Sequence, residues 1–244
     1  MLDADRDALF LDLDGTLVEI APRPSAIRVT SALKALLVQA RNALRGRLAI
    51  VSGRSLADLD RHLGAALGLA AGTHGAELRG AGTRIHAPER HRALARIRLA
   101  LSRFDTSGLL IEDKDIAIAI HYRDRPDRQE EVLSQAKYLA TLSDGLFAVQ
   151  QGRMVAELKP TGFDKGSAVR AFLQEPVFAG ARPVFIGDDL TDEAGFQACA
   201  ALGGYGVLVG EPRPSAARYG LEDVEAVHRW IVASLNEPRE GLTI

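Results

Sequence analysis

Four short, largely apolar runs constrain this chain more than any other feature: Ala8-Leu-Phe-Leu11, Leu48-Ala-Ile-Val51, Pro183-Val-Phe-Ile186 and Gly206-Val-Leu-Val209. None alternates apolar with polar residues, so each reads as a strand covered on both faces, as in a parallel sheet wrapped by helices. Stretches of helical period separate them: Ser25 to about Leu44, Ser55 to His62, and helices starting at Lys165, Thr191 and Asp223. This βαβα order predicts an α/β fold, a doubly wound, Rossmann-like core. Between Ala76 and Lys159 the grammar changes. Helices are predicted over 88–104 and 127–140, with strands over 109–113, 116–121, 146–150 and 153–158. Strands joined by a short connector, as in Ile111–Ile120, predict hairpins and an antiparallel sheet. The expected organisation is a core of residues 1–76 and 160–244 interrupted by an inserted α+β domain over 77–159.

Composition narrows the function. Thirty basic and thirty-two acidic residues give a net charge of -2, without the basic excess of a nucleic-acid-binding protein. The single cysteine, Cys199, excludes a disulfide framework, a zinc finger and an iron–sulfur cluster of the chain's own. No apolar run approaches the ~20 residues of a membrane span. The start, Met1-Leu-Asp-Ala-Asp-Arg-Asp7, lacks the basic region of a secretory signal. The expectation is a cytoplasmic monomer acting on a small molecule, with neither nucleic acid nor membrane as partner. Cys199 reads as core, and His62, His86, His91 and His228 lack metal-ligand spacing. There is no phosphate-binding Gly-x-x-x-x-Gly-Lys-Ser/Thr loop, no Gly-x-Gly-x-x-Gly after a strand, and no Gly-x-Ser-x-Gly elbow.

Ligands of an open parallel sheet bind outside the carboxyl ends of its strands. The first run leads into Asp12-Leu-Asp14-Gly-Thr16, the second into Ser52-Gly-Arg54, and the third into Gly187-Asp188-Asp189-Leu-Thr-Asp192-Glu193. Side by side, these tips would crowd carboxylates that repel one another unless a cation sits among them. Oxygen donors with few histidines and no thiols favour a hard ion, Mg²⁺. Two aspartates two residues apart at a strand end suit phosphoryl transfer to a carboxylate: one is the nucleophile, the other protonates the leaving alcohol and then takes a proton from water. Ser55-Leu-Ala-Asp58 resembles a capping box, which leaves Ser52 to donate to a phosphoryl oxygen. Lys165 stands at a helix start, where the macrodipole disfavours a cation by ~0.3–1 kcal/mol. It fits there if it faces the carboxylates and a phosphate. Lys159 competes, but Pro160 follows it and no helix begins there. The dipole alone accounts for Glu193 and can account for Asp192. Asp188 comes too early for that account and is the expected metal ligand, with Asp189 and Asp192 in supporting places.

These tips together resemble the haloacid dehalogenase-like phosphatases. The resemblance implies that Asp12 is the nucleophile and Asp14 the general acid/base. It also implies that Mg²⁺ is held by the Asp12 carboxylate, the Asp14 backbone carbonyl and Asp188, and that the insert is a C2-type cap. The insert's polar signals are Gly72-Thr-His74-Gly-Ala-Glu77, His121-Tyr-Arg123 and Gly152-Arg153-Met-Val-Ala-Glu157-Leu-Lys-Pro160. On a strand, residues two apart share a face, which would pair His121 with Arg123 and align Arg153 with Glu157. Such a pair could grip sugar hydroxyls, or equally be an ordinary exposed ion pair. With Gly-Asp-Asp-x-Thr-Asp-Glu, these motifs look like the trehalose-6-phosphate phosphatase family over residues 8–210. That resemblance implies hydrolysis of trehalose 6-phosphate to trehalose and phosphate, the last step of trehalose biosynthesis. It places Arg54, His74, Arg123, Arg153 and Glu157 on the substrate. Arg153 is a departure where the family has Lys as often as Arg, and the two are not equivalent donors. Nothing resembles a fused synthase domain. The alternatives are a phosphatase for another sugar phosphate (sucrose-6-phosphate or mannosyl-phosphoglycerate type), a phosphomutase, or a non-catalytic sugar-phosphate sensor.

Overall fold

A computed structural model describes residues 2–80 and 88–236, the side chains of Pro24 and of 88–91 excepted. His86 and the side chain of His91 therefore lie outside the described residues. The chain forms two compact units, one of residues 1–83 and 164–244, the other of residues 84–163.

In the first unit the apolar runs become strands β1 (Asp7–Leu11), β2 (Leu48–Val51), β9 (Arg182–Gly187) and β10 (Tyr205–Val209). Two further parallel strands are β3 (Leu69–Gly72) and β11 (Tyr219–Leu221), and one antiparallel strand is β4 (Glu77–Arg79). The sheet order is β11-β10-β9-β1-β2-β3-β4, so the ends of β9, β1 and β2 are neighbours. Successive side chains go to opposite faces. Leu9, Leu11, Ile50, Val184, Ile186, Val207 and Val209 join one core cluster with helices α1 (Ser31–Ala43) and α7 (Val224–Asn236). Ala8, Phe10, Val51 and Phe185 join the other, with α5 (Lys165–Phe172) and α6 (Glu193–Ala201). Each of these buried valine, leucine, isoleucine and phenylalanine side chains stabilises the unit by about 1.5–3 kcal/mol. A short helix α2 (Leu56–Leu63) follows β2.

Three boundaries differ from the sequence reading. Helix α1 starts at Ser31, not Ser25. Pro24–Ala26 form a 3₁₀ turn, Ile27 is extended, and the Thr30 hydroxyl caps the helix by accepting from the Leu33 amide at 3.1 Å. Helix α6 starts at Glu193 because Leu190–Asp192 wind as a 3₁₀ turn first. Residues 77–79, placed by the sequence reading at the start of the insert, are strand β4 of this sheet.

The second unit is a four-stranded antiparallel sheet, β5 (Leu110–Lys114), β6 (Ala117–His121), β8 (Val155–Pro160) and β7 (Phe147–Gly152) in that spatial order. Helices α3 (Pro88–Leu101) and α4 (Gln129–Thr141) pack on one face of it, against Ile118, Ile120, Ala156 and Leu158. The alternate residues Glu112, Lys114, His121, Gln150, Glu157 and Lys159 lie on the opposite face.

Candidate active site

Asp12 is the first residue after β1, and its amide donates to the Ile186 carbonyl at 3.0 Å, locking the β1 and β9 tips together. Its carboxylate is buried and lies 2.9 Å from the Lys165 ammonium. Lys165 opens helix α5, whose Asp164 N-cap accepts from the Ser167 amide at 2.6 Å in a capping box. Only 2% of Lys165 is exposed, and its Nζ also donates to Asp192 at 2.6 Å. The sequence problem of a cation at a helix start thus has a structural answer: two carboxylates meet it. Burial works against the Lys165 charge, but Asp12 and Asp192 outweigh it and its pKa is raised.

Asp12, Asp188 and Asp192 each place a carboxylate oxygen within 4.8 Å of the others. One lysine cannot neutralise three such groups. Burial, aided by the neighbouring carboxylates, pushes Asp12 well above the usual range and Asp188 up to about 7. Asp188 also accepts from the Thr16 hydroxyl at 3.2 Å. Gly15, with φ of +80°, makes room for it, since a Cβ there would lie 2.1 Å from Asp188 Oδ2. Asp192 is fully buried and accepts the Asp189 amide at 2.9 Å. Its helix-dipole reading is therefore the lesser part of its role. Asp189 caps the 3₁₀ turn instead, accepting from Leu190 at 2.6 Å.

Ser52 follows β2, 1% exposed, and its Oγ accepts the Arg54 amide at 3.2 Å. That bond uses a lone pair and leaves the hydroxyl proton to donate. Arg54, expected on the substrate, is engaged with two aspartates. Its guanidinium forks Asp14 at 2.6 and 2.7 Å and reaches Asp58 at 2.5 Å. Ser55 does cap α2 by accepting from the Asp58 amide at 3.2 Å. The Asp58 carboxylate, however, accepts from Arg54 and Arg61. His74 is 7% exposed in a bend where Thr73, His74 and Gly75 all have positive φ. Its amide donates to the Ser52 carbonyl at 2.9 Å, and its ring lies where a Cβ on Gly53 would be.

In the insert, two predicted alignments do not form. Strand β6 ends at His121, so Arg123 sits in the exposed turn beyond it, and His121 pairs with Glu112 at 3.0 Å. Arg153 and Met154 are the two-residue turn between β7 and β8, so Arg153 shares no strand face with Glu157. Glu157 is buried and pairs with Lys114 at 2.8 Å. Thr16 and Asp58 were legible only as part of a string and of a cap. Arg213, which reaches the carbonyls of Asp188 and Asp189, carried no sequence signal.

A parallel sheet with an aspartate cluster and a buried lysine at its strand tips defines the class. The fold is that of a haloacid dehalogenase-like hydrolase from Bacteroides thetaiotaomicron, with a TM-score of 0.63 at 17% identity over 94% of this chain and 99% of that one. Residues 10–225 match the trehalose-phosphatase family, and the chain belongs to that family. A probable trehalose-phosphate phosphatase of Sinorhizobium fredii is 41% identical over 96% of this chain and 89% of its own length. The trehalose-6-phosphate phosphatase of Escherichia coli is 37% identical over 96% and 90%. The crystal structure of a trehalose-6-phosphate phosphatase related protein superposes with a TM-score of 0.76 at 26% identity, over 94% of this chain and 97% of that one.

Proposed function

We propose that this chain hydrolyses trehalose 6-phosphate to trehalose and phosphate through an aspartyl-phosphate on Asp12. The observation that carries the reaction type is the buried Asp12–Lys165–Asp192 contact beside Asp188. The substrate follows from the family and from relatives matched along nearly their full length.

In the first half-reaction an Asp12 carboxylate oxygen attacks phosphorus while Lys165 and the Ser52 hydroxyl hold the phosphoryl oxygens. The bond from phosphorus to the sugar oxygen breaks, and Asp14 supplies the proton that makes that oxygen a hydroxyl. In the second, Asp14 takes a proton from water, the water oxygen attacks phosphorus, and the Asp12 carboxylate leaves. The Arg54 fork fixes the orientation of the Asp14 carboxyl group.

The cluster's donors are hard oxygens, and their burial with one lysine leaves negative charge to be balanced, which fits Mg²⁺. Asp12 and Asp188 would hold it with the Asp14 carbonyl. When bound, it would neutralise charge on the phosphoryl oxygens.

In this reading the second unit, residues 84–163, acts as the specificity domain. Discrimination among sugars is assigned to Arg123, Arg153 and Glu157, and to His74. The site of action is the cytoplasm, supported by the lone thiol, and the working form is a monomer. Among the described residues no helix is long and apolar enough to cross a membrane.

Phosphate release from a panel of sugar phosphates with Mg²⁺ tests the reading. Trehalose 6-phosphate should exceed glucose 6-phosphate in kcat/KM by on the order of 10², or about 2.7 kcal/mol. EDTA should silence the reaction and Mg²⁺ restore it. A preference for sucrose 6-phosphate would overturn the substrate, and activity surviving rigorous chelation would overturn the metal.

A further inference from the structure

Beyond the catalytic carboxylates, the tip of β9 is held from outside by a strap. The loop after β10 brings Arg213 back over the turn that follows β9. Its Nη2 donates to the Asp189 carbonyl at 2.9 Å and lies 3.5 Å from the Asp188 carbonyl. Its Nη1 donates to the Glu193 carboxylate and to the Pro214 carbonyl, the latter at 3.3 Å. The second Glu193 oxygen accepts the Ala216 amide at 2.8 Å, so one carboxylate anchors both the guanidinium and the loop that carries it. Both side chains are largely buried, at 25% and 20% exposed.

We propose that Arg213, anchored by Glu193, is a positioning residue for the divalent cation: it fixes the backbone of Asp188 and Asp189 and so sets where the Asp188 carboxylate points. This rests on the reading that Mg²⁺ binds at Asp12 and Asp188. The strap touches neither phosphate nor sugar. Outer contacts of this kind typically change metal affinity or activity by about 10–100-fold when removed.

Two effects oppose each other when Arg213 is replaced. Losing the guanidinium frees the Asp188 turn and weakens cation binding. Losing a positive charge near the carboxylates strengthens it. A planar guanidinium that reaches the Glu193 carboxylate with Nη1 and the turn's carbonyls with Nη2 is a geometric device that a single ammonium does not reproduce, so the positioning effect should govern.

Substrate-free protein is titrated with Mn²⁺ as a paramagnetic stand-in, with free Mn²⁺ read by electron paramagnetic resonance. Thermal unfolding of the metal-free protein is followed in parallel. Arg213→Met should raise the Mn²⁺ Kd by on the order of tenfold. Arg213→Lys, which keeps the charge, should raise it in the same direction. At saturating Mg²⁺, kcat should return most of the way to wild type. An unchanged or tighter Kd in Arg213→Met, with wild type binding Mn²⁺ normally, would overturn this proposal alone. So would a lower unfolding temperature with no change in Kd, which is the mark of a merely structural strap. No Mn²⁺ binding by wild type would overturn the metal reading, and the strap's role with it.

Discussion

Replacing Lys165 with methionine keeps the length of the side chain and removes its charge. Lys165 is 2% exposed, 2.9 Å from Asp12 and 2.6 Å from Asp192, so the variant leaves two buried carboxylates facing each other, with Asp188 close by. Removing one partner of a buried ion pair destabilises by about 3–5 kcal/mol, because the remaining charge keeps its desolvation cost without compensation. For a chain of this size that is roughly 6–20 °C in unfolding temperature. In the proposed mechanism the same change removes a donor to the phosphoryl oxygens, which should lower kcat on the order of 10²–10³-fold. Differential scanning calorimetry and phosphate release read the two losses separately. Mg²⁺ adds a third reading. A ligand at a hundredfold excess over its Kd stabilises by about 2.7 kcal/mol, and a more negative site binds the cation more tightly. The increment in unfolding temperature on adding Mg²⁺ should therefore be larger in the variant than in wild type. A stability loss below about 1 kcal/mol would refute the claim that Lys165 balances buried charge. An increment no larger than wild type's would refute the claim that the cation shares the cluster.

Asp12→Asn, isosteric but a far poorer nucleophile, should abolish phosphate release while the circular dichroism of the folded protein stays that of wild type; substantial turnover in the purified variant would end the aspartyl-phosphate mechanism. Gly15→Ala places a Cβ 2.1 Å from Asp188 Oδ2 at a φ of +80°, and should cost at least about 1–2 kcal/mol together with much of the activity. Wild-type behaviour in a urea melt and in a phosphate-release assay would contradict that geometry. Cys199 is fully buried, and burial pushes its thiol well above the usual range. It should resist a disulfide reagent in the native protein and react fully once denatured; rapid labelling of the native form would refute its core placement.

The sheet was legible where local pattern and burial coincide. Leu48–Val51 and Pro183–Ile186 are unbroken apolar runs, and the structure buries every one of their side chains. Strand β3, Leu-Ala-Ala-Gly, was not legible, because small residues carry little strand preference of their own and its pairing with β2 decides it. The hairpin turn at Arg153 was missed for a related reason. Met154 takes the left-handed conformation, with φ of 61°, without the glycine or asparagine that would announce it.

Reading along the chain is enough to find which residues stand at the carboxyl ends of the strands, because a strand that ends in Asp, Ser or Gly shows it locally. Asp12, Asp14, Ser52 and Asp188 come from that reading, and Lys165 from its awkward place at a helix start. How these groups are shared depends on the packing of distant segments. Lys165 lies between Asp12 and Asp192, Arg54 holds Asp14 and Asp58 rather than standing open, and Arg213 closes over Asp188 from a loop twenty-five residues away. Charged side chains are long and take whatever partner the packing of distant segments brings within about 3 Å. Local periodicity encodes which face a residue occupies, and the neighbour it meets there is set by the order and register of the strands.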